Sequence, residues 1–125
     1  MSDDEGMLER GIAEWRGKML IDREGAKIGK LQDVYVDVET DEPVFGTVKE
    51  GLFNRRHLTF VPLRGSQVGP DELHVTVTKA RVRSAPNLEM TGEELSQANE
   101  STLYHHFEQN YTPPDTESGR RLARR

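Results

Sequence analysis

From Gly17 onward the chain reads as short alternating apolar runs separated by turn signals, and this spacing constrains the fold more than any other feature. Lys18–Ile21 reads as a strand, followed by the tight turn Asp22–Gly25, where glycine is free to take positive φ. Ile28–Val38 is a longer strand with Val34, Val36 and Val38 on one face. Leu31 has the opposite parity, which predicts a bulge or bend near Gln32-Asp33. Thr40–Pro43 turns the chain into Val44, Gly46 and Val48, alternating with Phe45, Thr47 and Lys49. Gly51–Phe53 closes a strand, and Asn54–Arg56 is the next turn. In His57–Leu63 both parities carry apolar residues, so this strand is expected to be covered on both sides, with Pro62 at a sheet edge or bend. Leu73, Val75 and Val77 then alternate with His74, Thr76 and Thr78. Strands this short at this spacing predict a mainly β chain, as a small barrel or sandwich.

Outside that region the period lengthens. Met7–Trp15 is weakly helical with Trp15 as its one large anchor, and Thr78–Arg83 predicts a single helical turn before Pro86. Thr91-Gly-Glu-Glu94 matches a capping box, and Leu95, Ala98, Leu103, Phe107 and Tyr111 approximate one stripe, predicting an amphipathic helix over Glu94–Asn110. Pro113-Pro114 ends it. The expected organisation is a flexible acidic segment 1–11, a compact β domain 12–85, a linker and helix 86–112, and a disordered arginine-rich tail 113–125.

Charge is segregated. The net charge of −5 resolves into −6 over residues 1–43, +4 over 44–85, −6 over 86–116 and +3 over 117–125. A general nucleic-acid binder presents its basic groups together, which this chain does not. Alternating blocks favour contact within the chain or with a second copy. The absence of cysteine removes disulfides, thiolate chemistry and cysteine-based zinc sites, and fits a reducing cytoplasm. No apolar run approaches the ~20 residues of a membrane span. The opening MSDDEGMLER is acidic where a signal peptide is basic and then apolar, so the expected location is cytoplasmic.

Catalytic and metal chemistry find little support. Asp33, Asp37, Glu39, Asp41 and Glu42 are dense but lack the spacing and bend glycine of a calcium loop. Asp33 and Asp37 share a parity, which predicts both pointing outward with Tyr35 between them; their functional use would be to meet arginines of a second copy. His105 and His106 diverge by ~100° on a helix, and no histidine pair has the i, i+4 spacing of a helical zinc site. The serines lack a nucleophile-elbow context, and no glycine-rich phosphate loop is present. No catalytic residue, metal ligand or cofactor is therefore expected. The candidate interface residues are Phe53, Arg55, Arg56, Arg64, Leu103, Phe107 and Tyr111. Arg120, Arg121, Arg124 and Arg125 form a basic tail to which RNA or lipid headgroups would be attracted weakly and in a salt-sensitive way.

The run from Gly17 to Arg83 resembles the PRC-barrel family, which includes the cytoplasmic domain of the photosynthetic reaction-centre H subunit and the C-terminal domain of a ribosome maturation factor. The match is carried by Glu14–Gly17, Gly25–Asp37, Thr40–Pro43, Gly51–Phe53, Phe60–Leu63 and Val75–Lys79. Leu95-Ser96 and Leu103–Phe107 resemble the C-terminal helix of small stand-alone bacterial members. One departure is Asn54, where that group often has glycine; asparagine tolerates the left-handed region better than most residues. The resemblance implies a strongly bent antiparallel PRC-type β-barrel with a C-terminal α-helix, and a docking surface for proteins, RNA-processing assemblies or membrane complexes. The expected function is that of a non-enzymatic protein–protein interaction module, as a homodimer that buries Leu103 and Phe107. The alternative is an RNA- or ribosome-associated module using Arg55, Arg56, Arg64 and the arginine tail.

Overall fold

One eleven-residue strand organises the sheet. In this computed structural model, which describes residues 12–48, 59–85, 95–111 and 121–124, β2 (Lys27–Asp37) pairs with three other strands. Its first part meets β1 (Met19–Ile21) and the part from Leu31 onward meets β3 (Pro43–Val48), both antiparallel. The β2–β3 register shifts between Leu31 and Asp33, where the parity change placed a bulge. β4 (Thr59–Pro62) pairs with β3, opposing Pro62 to Phe45. Beyond β1 lie β6 (Glu72–His74) and β5 (Gln67–Val68), giving the order β4-β3-β2-β1-β6-β5. The β1–β6 pair is parallel, and the other pairs are antiparallel. The architecture is a mainly β, strongly curled barrel-like sheet with short helices against it.

The interior is filled by both faces of the middle strands. Val34, Tyr35, Val36, Val44, Phe45 and Val48 are all essentially inaccessible, so the alternation predicted for β2 and β3 does not leave a solvated face there. Phe60, Val61 and Leu63 are likewise buried, as the two apolar parities of that strand require. Tyr35 stacks obliquely on Phe60 at 5.5 Å between centroids. Gly46 is needed where strands and side chains crowd: a Cβ there would run into Leu31 Cδ1 and lie 3.2 Å from Leu63 Cδ1.

Residues 12–15 form a helical turn, α1, whose Ile12 is buried and whose Trp15 packs against the core. α2 (Lys79–Arg83) begins at the predicted place, with the Thr78 hydroxyl accepting from the Arg81 amide. α3 (Gln97–His106) is shorter than the predicted 94–110. Ser96 caps it by accepting from Asn99 N, while the capping box at 91–94 lies outside the described residues. The buried face of α3 carries Glu100, Leu103 and Tyr104, with Phe107 following, whereas Ala98, assigned to the stripe, is exposed. The last element departs most from expectation. Leu122–Arg124 is not a disordered tail but a strand, β7, antiparallel to Tyr35–Asp37. β3 and β7 therefore flank Tyr35 and Val36 from opposite edges.

Candidate docking site at the edge of β2

Two short polar turns anchor the sheet, each organised by an aspartate. In the β1–β2 turn, Asp22 Oδ1 accepts from the amides of Glu24 (2.8 Å) and Ala26 (2.7 Å), and Gly25 adopts φ 89. Asp22 Oδ2 accepts from the amide of Lys79 at 2.8 Å, so this carboxylate also ties down the first residue of α2. The amides of Lys79 and Ala26, foremost among its donors, hold the Asp22 carboxyl below its usual range against the opposing effect of burial.

At the other end of β2, Asp37 does the same work. Its Oδ1 accepts from Glu39 N at 2.8 Å and Thr40 N at 3.3 Å, which fixes the β2–β3 turn. Its Oδ2 accepts from Arg121 Nε at 2.7 Å. The Asp37 side chain is 1% exposed and that of Arg121 is 17% exposed, so water screens this pair far less than an ordinary surface pair. Glu39 adds a second contact to the guanidinium at 3.4 Å, and Asp33 lies 3.7 Å from Arg124.

Behind this edge stands Glu100 of α3, fully buried. Its Oε1 accepts from the Tyr111 hydroxyl (2.7 Å) and Arg121 N (2.9 Å), and its Oε2 from Arg121 N (2.9 Å) and Leu122 N (2.7 Å). Every one of these contacts asks the carboxylate only to accept, which is how a buried acid escapes the desolvation penalty. Leu122 is inserted at 3% exposure. Burial first, and then the bond to Glu100, push the Tyr111 hydroxyl far above the usual tyrosine range. Tyr104 stacks edge-on against Tyr111 at 4.9 Å and Phe45 at 5.4 Å, and burial holds its hydroxyl above the usual tyrosine range too. At the edge of β2 residues 121–124 are thus held by a backbone ladder, a carboxylate that takes two successive amides, burial of Leu122 and acids on both flanks.

The structure redistributes the predicted residues. Leu103 and Phe107 lie in the core of their own chain, and Tyr111, partly buried, packs against it. Asp37 and Tyr35 are buried, and neither points outward. Of the acids expected to meet arginines of another copy, Asp37 and Glu39 meet Arg121 and Asp33 meets Arg124 of the same one. Arg64 is exposed, just past β4. Phe53, Asn54, Arg55, Arg56, Arg120 and Arg125 lie outside the described residues. Glu100 and Asp22 were not singled out in the sequence. A signal existed for Glu100, which precedes Leu103, Tyr104 and Phe107 by three, four and seven residues and so shares their helix face.

A second concave feature, a cleft of about 710 Å³, lies between the β6–α2 connection, α2 and the end of α3. Its rim carries Arg23, Arg81, Ser84 and Glu108, with Arg81 bonded to Glu108 at 2.8 Å. Beside it His106 donates from Nε2 to the Arg81 carbonyl at 2.8 Å. Among the described residues no group of three or more His, Asp or Glu could hold a metal ion. Likewise, no described helix is long and apolar enough to cross a membrane.

Comparison with curated proteins returns no match. The family model for the PRC-barrel domain matches residues 7–82, which includes β1 to β6 and most of α2. That match, with the curled mainly β sheet, places the chain in the PRC-barrel domain family.

Proposed function

We propose that this chain is a non-enzymatic interaction module that docks protein segments by strand addition and self-associates as a homodimer. The observation that carries the docking reading is the strand pairing between β2 and residues 122–124. There a sheet edge takes up an extended segment from 84 residues away, using backbone bonds for affinity and side-chain sockets for selection. The buried acids support it as well. Asp22, Asp37 and Glu100 are each engaged by bonds that build turns or hold strands. The RNA alternative loses support from the tail, because Arg121 and Arg124 already face carboxylates.

Self-association draws on a different edge. β5 ends the sheet order among the described strands, and its Val68 is 50% exposed. An exposed apolar side chain on an edge strand is a point at which another copy can pair. Light scattering across tens to hundreds of micromolar is expected to give a dimer for the wild type and a monomer for Val68→Lys. A wild-type monomer over that range refutes self-association. Salt-sensitive RNA binding by the same sample, abolished by alanine at Arg55 and Arg56, would move the function to the nucleic-acid class.

A further inference from the structure

We propose that the β2 edge at Tyr35–Asp37, with Glu100 behind it, is a peptide-binding site for an extended Arg-Leu-x-Arg segment of a protein partner. In this chain residues 121–124 occupy the site in cis as a built-in competitor. The proposal rests on the docking reading above and names its site and ligand class.

The site specifies its ligand position by position. Glu100 requires backbone N–H groups at two successive residues, which rules out proline at either. The first of these residues must carry a guanidinium long enough to reach Asp37 Oδ2 and Glu39. The second must be aliphatic, since Leu122 is buried. Two residues further on, a second cation faces Asp33. Besides the Glu100 bonds and the Arg121–Asp37 pair, the resident segment is held by only a three-residue strand and one buried apolar side chain, a small contact that suits exchange. If it left with no replacement, Glu100 would lose all its donors except the Tyr111 hydroxyl, and Asp37 would lose the guanidinium. An empty site is therefore disfavoured, and an occupied one can trade occupants.

Tyr111 and Arg121 bond the same carboxylate, yet the nine residues between them could reach ~30 Å if extended. A tethered segment on a linker of this length is present at an effective concentration on the order of millimolar. The identical segment of a second copy gains nothing over the tethered one. A protein partner can displace it by continuing the strand further along β2 or by adding contacts elsewhere.

The test uses the full chain with its own segment disabled, Arg121→Ser with Leu122→Asp, and a fluorescent peptide of the sequence of residues 119–125. Anisotropy is expected to show binding in the tens of micromolar, and binding to wild type weaker by about 20-fold or more, as competition with a millimolar tethered segment requires. The peptide should raise the thermal midpoint of the disabled chain. A peptide with aspartate in place of its leucine should do neither, and Glu39→Lys in the disabled chain should weaken binding. If the double variant does not fold, Leu122→Ala replaces it and must bind the peptide more tightly than wild type does. The proposal is overturned by a folded disabled chain that ignores the peptide at 1 mM, or by equal affinity in both chains. It is also overturned by wild-type self-association that the disabled chain loses, which would seat a second copy in the site. A chain that ignores the peptide but remains a dimer loses this site and keeps its role as a docking module; a monomer that ignores it loses both.

Discussion

Replacing Glu100 separates a buried acceptor from mere helix packing. In Glu100→Ala, the amides of Arg121 and Leu122 and the hydroxyl of Tyr111 all lose their acceptor. Left buried, each unsatisfied donor would cost about 1–3 kcal/mol. The total is capped, because residues 121–124 can detach and hydrate their amides. Detachment forfeits the burial of Leu122, about 2 kcal/mol, together with the β2–β7 ladder and the Arg121–Asp37 pair. The expected loss is therefore about 3 kcal/mol, lowering the urea midpoint by about 1–2 M at an ordinary slope for a domain of this size. Glu100→Gln should cost only about 1 kcal/mol. Its oxygen can stay on the Arg121 and Leu122 amides while its NH2 donates to the Tyr111 oxygen. Urea titrations followed by circular dichroism and tryptophan fluorescence give both numbers, provided the two probes coincide. Gln as damaging as Ala, or Ala within about 0.5 kcal/mol of wild type as for a surface substitution, would refute a buried-acceptor role for Glu100.

Three further outcomes are expected. The Asp22 carboxyl is held below its usual range, so its contribution is present above about pH 4 and is lost as pH falls through the lowered folded value. Acid titration of stability should show that loss in wild type and a flatter curve below pH 4 in Asp22→Asn; identical acid limbs would remove the assignment. The Tyr111 hydroxyl is shifted the other way, so its contribution is complete below about pH 10 and declines as pH rises above that. Tyr111→Phe should cost about 1–2 kcal/mol at neutral pH and reduce the alkaline decline, with absorbance at 295 nm following ionisation. Gly46→Ala places a methyl against Leu31 and Leu63 and should destabilise by about 1–3 kcal/mol. A thermal midpoint unchanged by this substitution would mean that the two leucines repack freely.

Most of the sheet was legible because its signals are local. The Leu31 parity slip, the Asp22–Gly25 turn and the helical turn after Thr78 are each set by residues close in sequence, and each of the three lies where expected. The reading of Asp33, Tyr35 and Asp37 as a solvated face failed for a non-local reason. Period-two alternation cannot reveal that the end of β2 is covered by α3 and by residues from the far end of the chain. Charge composition misled in the same way: the acidic and basic blocks were rightly seen as complementary, but pairing within the chain and pairing between copies have the same composition. Leu122 carried no periodic signal because a three-residue strand is too short to show one. The buried acid behind it was visible only as a charge on an apolar helix face.

The two aspartate-centred turns also bear on how the chain assembles. Asp22 reaches across 57 residues to Lys79, and Asp37 across 84 to Arg121, whereas β2 and β3 meet within a hairpin. Closing a loop of 57 residues costs about 1 kcal/mol more than closing one of 14, the separation of Asp33 and Thr47 in that hairpin. The β2–β3–β4 meander is therefore the natural nucleus, with the parallel β1–β6 junction and the capture of residues 121–124 following it. Substitutions at Asp22 or Glu100 should then speed unfolding and leave the folding rate nearly unchanged, whereas Gly46→Ala should slow folding itself. Chevron plots of these variants would expose the opposite order. A carboxylate at the head of a turn serves here as a late fastener, securing a fold whose central strands have already found one another.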